Sequence, residues 1–205
     1  MHNVKIKSHD ELKDIASERL EGKRGVAALV TLILILLPII IEQFPFGHLI
    51  SFLIAGPLYV GASMYFLNLA KGEKATFDDF ASGFNNFFSN FFLYLAIMIY
   101  TFLWFLLLII PGIVKSFSYS MAYYIKCDNP NMSANEAIET SMKMMDGHKM
   151  RLFIFELTFI GWFLLSFITI GLAFLWVLPY FWTAHANFYL NLKENYLAKN
   201  QAAAL

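Results

Sequence analysis

The chain has 205 residues, of which 59% are hydrophobic and only 15% are charged, whereas an ordinary soluble domain has about 25% charged residues. Fifteen basic residues balance fifteen acidic ones, so no net charge draws the chain to nucleic acid. The composition excludes a water-soluble enzyme, a disordered chain and a disulfide scaffold, and it predicts an integral membrane protein.

Residues 1–24 form a largely polar leader, which we expect to be cytoplasmic. Ser8 and Glu11 have the spacing of a capping box, and apolar residues recur at helical spacing from Leu12 to Leu20, which predicts an amphipathic helix. No signal-peptide cleavage pattern follows the first apolar run. We therefore expect the leader to be retained, with that run acting as a signal anchor.

Long uncharged runs predict the membrane spans, because a helix needs about 20 apolar residues to cross a bilayer core of ~30 Å. Gly25–Ile41 and Gln43–Ala70 each have the length of one span. The run Phe80–Val114 is longer than one crossing requires, and residues 152–192 are long enough for two spans with a bend at 168–171.

The distribution of lysine and arginine decides how residues 80–125 cross, because short cytoplasmic loops are rich in these residues. If 80–125 crossed once, the segment 126–151 would lie outside with four basic residues. If it forms a hairpin that turns at 111–113, every basic cluster falls on the cytoplasmic side. The fourth span, about Gly112–Lys126, is then short for a full crossing.

We therefore predict an all-α polytopic bundle with six spans in three hairpins, and five spans is the alternative. The single membrane domain comprises the leader 1–24, spans 1–4 in 25–125, a cytoplasmic segment 126–151, spans 5–6 in 152–192 and a cytoplasmic tail 193–205. Both termini are expected in the cytoplasm.

The segment 126–151 predicts a second amphipathic cytoplasmic helix. Ser133 and Glu136 form a capping-box pattern, apolar residues recur from Ala134 to Met145, and Gly147 stands where a helix would stop. The apolar stripe of this predicted helix indicates that it packs against the bundle or the membrane surface, and this interpretation is favoured over a groove that binds a partner.

Motifs spread along the chain resemble one bacterial membrane-protein family. They are ELKDIASERLEGKRG (11–25), PGIV (111–114), YSMAYYI (119–125), DNP (128–130), NEAIETSMKMMDGHK (135–149), FIGWFLL (159–165) and LWVLPY (175–180). Their order and spacing resemble the family catalogued as domain of unknown function 975. The resemblance implies a polytopic membrane protein without an assigned activity or functional residues. It also implies a distant likeness to the membrane-spanning part of some glycerophosphodiester phosphodiesterases.

Three ionisable residues within the predicted spans are candidate sites, because a charge inside a bilayer is costly and often functional. Glu156 lies near the cytoplasmic start of the fifth span. It is either a proton or cation site or a carboxylate facing a polar cavity, or else an interfacial partner of Lys126, Lys149 or Arg151. Lys115 is the basic residue expected nearest the outer face, either near lipid phosphate or snorkelling. His185 lies in the last span, as a pH-sensitive group or a hydrogen-bond partner.

The sequence carries no recognisable enzyme motif. Its five histidines lack metal-ligand spacing, and Cys127 has no candidate base beside it, so we expect no catalytic residue, metal or cofactor. The predicted function is a non-enzymatic envelope or membrane-complex accessory in the bacterial cytoplasmic membrane. A small transporter, or a protein that protects against membrane-active peptides, is the alternative. Expected partners are the bilayer and a second copy or another membrane protein, and not nucleic acid.

Overall fold

The computed structural model describes residues 6–203, and in that range helices and short connections make up the chain. A helical turn at Ser82–Phe84 stands between the fourth and fifth helices. The helices are α1 His9–Leu20, α2 Arg24–Ile41, α3 Gly47–Lys71, α4 Phe77–Ala81, α5 Phe87–Leu107, α6 Ile109–Tyr119, α7 Ala122–Asp128, α8 Ala134–Met144, α9 Lys149–Leu157, α10 Ile160–Ile168 and α11 Phe174–Ala203.

Four helical segments of the described chain are long and apolar enough to cross a membrane: α2, α3, α5 and the consecutive pair α9–α10. The predicted total was six. Helices α6 and α7 are each too short alone, and α11 has 30 residues but carries His185, Asn187 and Asn191 in its middle third. The all-α class is confirmed, whereas six crossings stay a prediction.

Residues 87–128 form an antiparallel helical hairpin. Leu108 alone separates α5 from α6 and has an extended backbone, which reverses the chain. Side by side along the hairpin lie Tyr100 and Tyr119, with ring centroids 6.4 Å apart. Farther from the turn, Lys126 Nζ donates a hydrogen bond to Ser89 Oγ at 2.7 Å. Helices α6 and α7 therefore carry the chain back from the turn to the start of α5.

The predicted turn of this hairpin is wrong. The chain turns at Leu108 and not at 111–113, because Pro111 lies in the first turn of α6, where a missing N–H costs no intrahelical hydrogen bond. Within the uncharged run that starts at Phe80, the apolar helix α5 begins at Phe87, because residues 77–84 form α4 and the helical turn after it. Thr76 and Asp79 cap α4 with a capping box that the sequence analysis missed.

Helices α9, α10 and α11 form another antiparallel hairpin, held by aromatic contacts along its length. Near the turn, Phe167 and Phe174 meet edge to face at 5.6 Å, and at the other end Phe155 and Phe188 pack at 5.6 Å. Gly171 lies in the connection with a φ of +85°, a conformation that favours glycine. Beyond residue 192, where a tail was predicted, α11 continues to Ala203.

Helix α3 lies at the centre of the bundle and packs against α2, α5, α7 and α11. Its small residues permit the close approach of neighbouring helices. A Cβ on Gly61 would lie 2.0 Å from the carbonyl oxygen of Phe80, and one on Gly56 would lie 2.4 Å from that of Asn90. Backbone thus packs on backbone along this face of α3.

Both amphipathic helices pack within the molecule. Capping boxes at Ser8 and Ser133 are present as predicted. Helix α1 lies against α11 and α3, and α8 lies against α5, α6 and α7. The apolar stripe of α8 is buried, with Ala137 and Met145 fully inaccessible, which confirms packing as its role.

The two ends of the bundle differ in chemistry. At the polar end lie Lys71, Asp128, Arg151 and Lys193, at the ends of α3 and α7, the start of α9 and the late part of α11. At the turn end lie the three reversals, at 42–46, 108 and 169–173. We use the names polar end and turn end for these two regions.

Candidate functional site: a central cavity

A cavity of about 350 Å³ lies among α2, α3, α5, α7, α9 and α11. Its lining comprises Leu34, Tyr59, Ala62, Ser63, Tyr94, Ser120, Tyr123, Tyr124, Glu156, Phe181, Trp182 and His185. The walls are therefore mainly aromatic, with a few polar groups directed inward. This is the composition of a small-molecule site, and the volume falls in the usual range of about 300–1,000 Å³.

Two of the three candidates from the sequence, Glu156 and His185, meet in this cavity. Glu156 Oε1 lies 3.6 Å from His185 Nε2, and the side chains are 34% and 6% exposed. The second ring nitrogen, His185 Nδ1, lies 3.3 Å from the hydroxyl of Tyr124. A carboxylate, an imidazole and a phenol thus form a continuous polar chain in the interior.

Two of the three basic residues that the sequence analysis offered as partners of Glu156, namely Lys126 and Arg151, bind elsewhere. Lys126 Nζ donates to Ser89 Oγ and to the carbonyl oxygen of Pro130 at 2.8 Å. Arg151 contacts the leader and α11. The pairing of Glu156 with His185 could not be read from the sequence, because α9 and α11 meet only through the tertiary packing.

Lys115, the third candidate, lies outside this cavity. Its Nζ stands 4.8 Å from the ring centroid of Trp104, in the α5–α6 hairpin close to the turn end. This cation–π contact provides a local partner for the ammonium. Lys115 therefore shares no site with Glu156 and His185.

One wall of the cavity consists of three stacked tyrosines that the sequence analysis did not identify. Tyr59 packs between Tyr94, with centroids 5.9 Å apart, and Tyr123, at 5.7 Å. The interplanar angles are 14° and 22°. Since these residues come from three helices, the only signal in the sequence was that each of these helices carries tyrosines.

A second cavity, of about 470 Å³, adjoins the first in the direction of the turn end. The two share Leu34, Tyr59, Tyr94 and Trp182 in their linings. The second also reaches the first loop, where His48 Nδ1 lies 3.7 Å from Glu42 Oε1. Cavities that share walls thus run from the middle of the bundle toward its turn end.

Toward the polar end, paired side chains close the bundle. The ring of Tyr124 stacks on Tyr189, with centroids 5.3 Å apart, and the Tyr189 hydroxyl donates to Asp128 Oδ2 at 2.7 Å. The Asp128 carboxylate also accepts from Lys193 at 2.6 Å and from Lys71 at 3.0 Å. We call these four residues (Asp128, Lys71, Tyr189 and Lys193) the Asp128 tie, which joins α3, α7 and α11.

The leader is attached beside this tie through Arg151. Its guanidinium donates to the carbonyl oxygen of Lys7 at 2.8 Å and to Asn191 Oδ1 at 3.0 Å, while Lys7 N donates to the same amide at 3.2 Å. The ring of His9 packs on Phe155 at 5.7 Å. Burial, and then the positive charge of Arg151, lower the pKa of His9.

Other reactive groups lie apart from the central cavity. The Sγ of Cys127 is buried 3.4 Å from the carbonyl oxygen of Val60. Among residues 6–203, no three His, Cys, Asp or Glu side chains are grouped so as to hold a metal ion. The chemistry of the cavity therefore rests on one carboxylate, one imidazole and several phenols.

The fold defines an all-α protein with candidate membrane helices. The family model described as protein of unknown function (DUF975) matches residues 1–116 and 105–196, so the chain belongs to this family. No curated protein and no solved structure matched the chain. The likeness to glycerophosphodiester phosphodiesterases therefore stays a prediction.

Proposed function

We propose that the chain is a six-span protein of the bacterial cytoplasmic membrane. The hairpins support this proposal, since each carries the chain back from the turn end toward the polar end. Helix α6 returns beside α5, and Lys126 in α7 reaches Ser89 in the first turn of α5. The most apolar stretch of α5 is only 11% buried within the molecule, as expected for a surface that faces lipid.

The polar end is then the cytoplasmic side. Lysine and arginine residues concentrate there, and short cytoplasmic loops are the usual place for them. The three reversals at the turn end lie on the outer side, where the apolar Leu108 and Ile170 are 66% and 93% exposed. Both termini are cytoplasmic in this arrangement.

Within this topology we propose a non-enzymatic role as a small transporter. The observation that carries the proposal is the pairing of Glu156 with His185 in a cavity bounded by six helices. Intramembrane ionisable residues that face a cavity mark solute or proton pathways in many membrane proteins. The adjoining cavity leads outward, while the Asp128 tie closes the cytoplasmic side, so the arrangement matches an outward-facing state.

The accessory role that ranked first from the sequence is the alternative. An accessory protein needs a surface for its partner, and the sequence analysis weighed the apolar stripe of α8 as such a groove but favoured packing for it. That stripe packs against the chain's own α5 and α7. The cavity consequently favours the transporter.

Cysteine labelling tests the topology. In a Cys127→Ala background, we would place single cysteines at the exposed positions Gln43, Leu108, Leu172 and Asn131 and treat cells with a membrane-impermeant maleimide. Six spans predict labelling of the first three in intact cells and of Asn131→Cys only after permeabilisation. Labelling of Asn131→Cys in intact cells would establish five spans.

A second labelling experiment tests the transport role. A cysteine replacing Ser63, in the cavity wall, should react with aminoethyl methanethiosulfonate in the folded protein, because a transport cavity must admit water and solute. A cysteine replacing the fully buried Ala186 is the matched control and should react only after denaturation. If both react only after denaturation, the cavity is sealed and the accessory role is favoured.

A further inference from the structure

We infer that the central cavity binds small organic cations, of the class of quaternary ammonium ions with apolar substituents. This inference rests on the proposed function and specifies the substrate class of the same site. The charge of the lining, its aromatic surface and a lateral opening each favour this class of ligand.

The charge of the lining favours a cation. Glu156 contributes a carboxylate, and the described residues around the cavity include neither lysine nor arginine. Charges interact more strongly in a site of low dielectric than in water. A ligand cation beside Glu156 would offset the cost of keeping that carboxylate inside the bundle.

The aromatic surface favours an organic cation over a metal ion. Tyr59, Tyr94 and Tyr123 form the stacked wall, and Phe181 and Trp182 of α11 also line the cavity. Aromatic faces attract quaternary ammonium groups through the ring quadrupole. Calcium and magnesium instead require about six or more oxygen ligands, which a single carboxylate and a few hydroxyls do not supply.

A lateral cavity of about 250 Å³ lies on the other side of Glu156. Its lining includes Glu156 and Phe181, which also line the central cavity, together with Phe153, Leu157 and Ile160, which are exposed on the outer surface of α9 and α10. In the proposed topology this surface faces lipid. A cation with apolar substituents, which partitions into the bilayer, can therefore reach Glu156 from the side.

Titration calorimetry of the full chain in detergent tests the inference, with benzyltrimethylammonium as the probe. The wild-type protein should bind it saturably. Glu156→Gln keeps the shape and removes the charge, and it should weaken binding about tenfold or more. Glu139→Gln, on the exposed face of α8, removes a charge far from the cavity and should bind as the wild type does.

A second pair of variants tests the aromatic wall independently of the charge. Tyr59→Leu removes a ring and should weaken binding several-fold, whereas Tyr59→Phe keeps the ring and should bind nearly as the wild type does. If Glu156→Gln fails to fold, judged by its thermal unfolding, this pair still decides the question.

Absence of saturable binding to the wild type, or unchanged binding to either Glu156→Gln or Tyr59→Leu, would overturn the inference. The transport role has a separate readout in the cysteine at position 63. A reactive Ser63→Cys without benzyltrimethylammonium binding leaves the transport role and overturns the cation class. An unreactive Ser63→Cys overturns the transport role, and with it the inference.

Discussion

Replacing Asp128 by asparagine should loosen the polar end of the bundle. The carboxylate accepts hydrogen bonds from Lys193 at 2.6 Å, from Tyr189 at 2.7 Å and from Lys71 at 3.0 Å, and its side chain is only 9% exposed. The amide of asparagine keeps the size but loses the negative charge and one acceptor oxygen. The two ammonium groups are then left without their counter-charge.

The size of the expected loss of stability depends on how exposed the two lysine partners are. Breaking a buried ion pair costs about 3–5 kcal/mol, but Lys71 and Lys193 are 29% and 36% exposed and can turn to water. We therefore expect the free energy of local opening to fall by about 2–3 kcal/mol. Because ~1.36 kcal/mol corresponds to a tenfold change, the opened population should rise roughly 30- to 150-fold.

The neighbouring residue, Cys127, reports this opening. Cys127 is only 6% exposed, so N-ethylmaleimide should label its thiol in detergent-solubilised protein only when α7 opens, and the labelling rate should rise with the opened population. Lys193→Met should also accelerate labelling, by a smaller factor, although it shifts the local charge in the opposite direction. Asp146→Asn, at an exposed carboxylate, should leave the rate unchanged. Labelling of Asp128→Asn at the wild-type rate would refute the role of the tie.

Three further outcomes can be measured on the purified protein. Gly61→Ala would place a Cβ 2.0 Å from a backbone carbonyl of α4 and should lower the free energy of unfolding by about 1–3 kcal/mol. Gly161→Ala is the control and should not lower it, because a Cβ there meets nothing within 4 Å. Equal thermal unfolding of the two variants would contradict this contact. Ser133→Ala removes the hydroxyl that caps α8 and should cost about 1 kcal/mol in the same assay, and Ser133→Asp should restore most of it. Burial and Arg151 lower the pKa of His9 below 6.5, so docking of α1 should be strongest above pH 6.5 and weaken as the pH falls through the lower folded-state pKa. The rate of hydrogen exchange in α1, corrected for intrinsic rates, should therefore rise as the pH falls. A corrected rate that does not depend on pH would exclude this effect.

Local patterns predicted the elements that local physics decides. Capping boxes at Ser8 and Ser133 were readable because a side chain and a backbone N–H three residues apart form each of them. The stripe of α8 predicted its buried face because helical spacing brings those residues to one side. The third capping box, at Thr76, uses aspartate in the place of the more usual glutamate and was overlooked for that reason.

The hairpin turn at Leu108 shows where local patterns mislead. Proline and glycine at 111–112 are typical of a turn, but a helix tolerates proline in its first turn. The reversal falls one residue before α6 begins, where Leu108 is extended. Only the packing of α6 against α5 identifies the residue at which the chain reverses.

Composition and hydrophobic runs determined by themselves that this is a helical protein suited to a membrane, because the lack of polar residues leaves no other way to solvate its surface. The sequence also identified Glu156 and His185 as costly interior groups. Their pairing, the stacked wall of Tyr59, Tyr94 and Tyr123 and the Asp128 tie depended on the tertiary structure. Each of these joins residues from different helices that lie dozens of positions apart, and only the way the helices cross brings their side chains together.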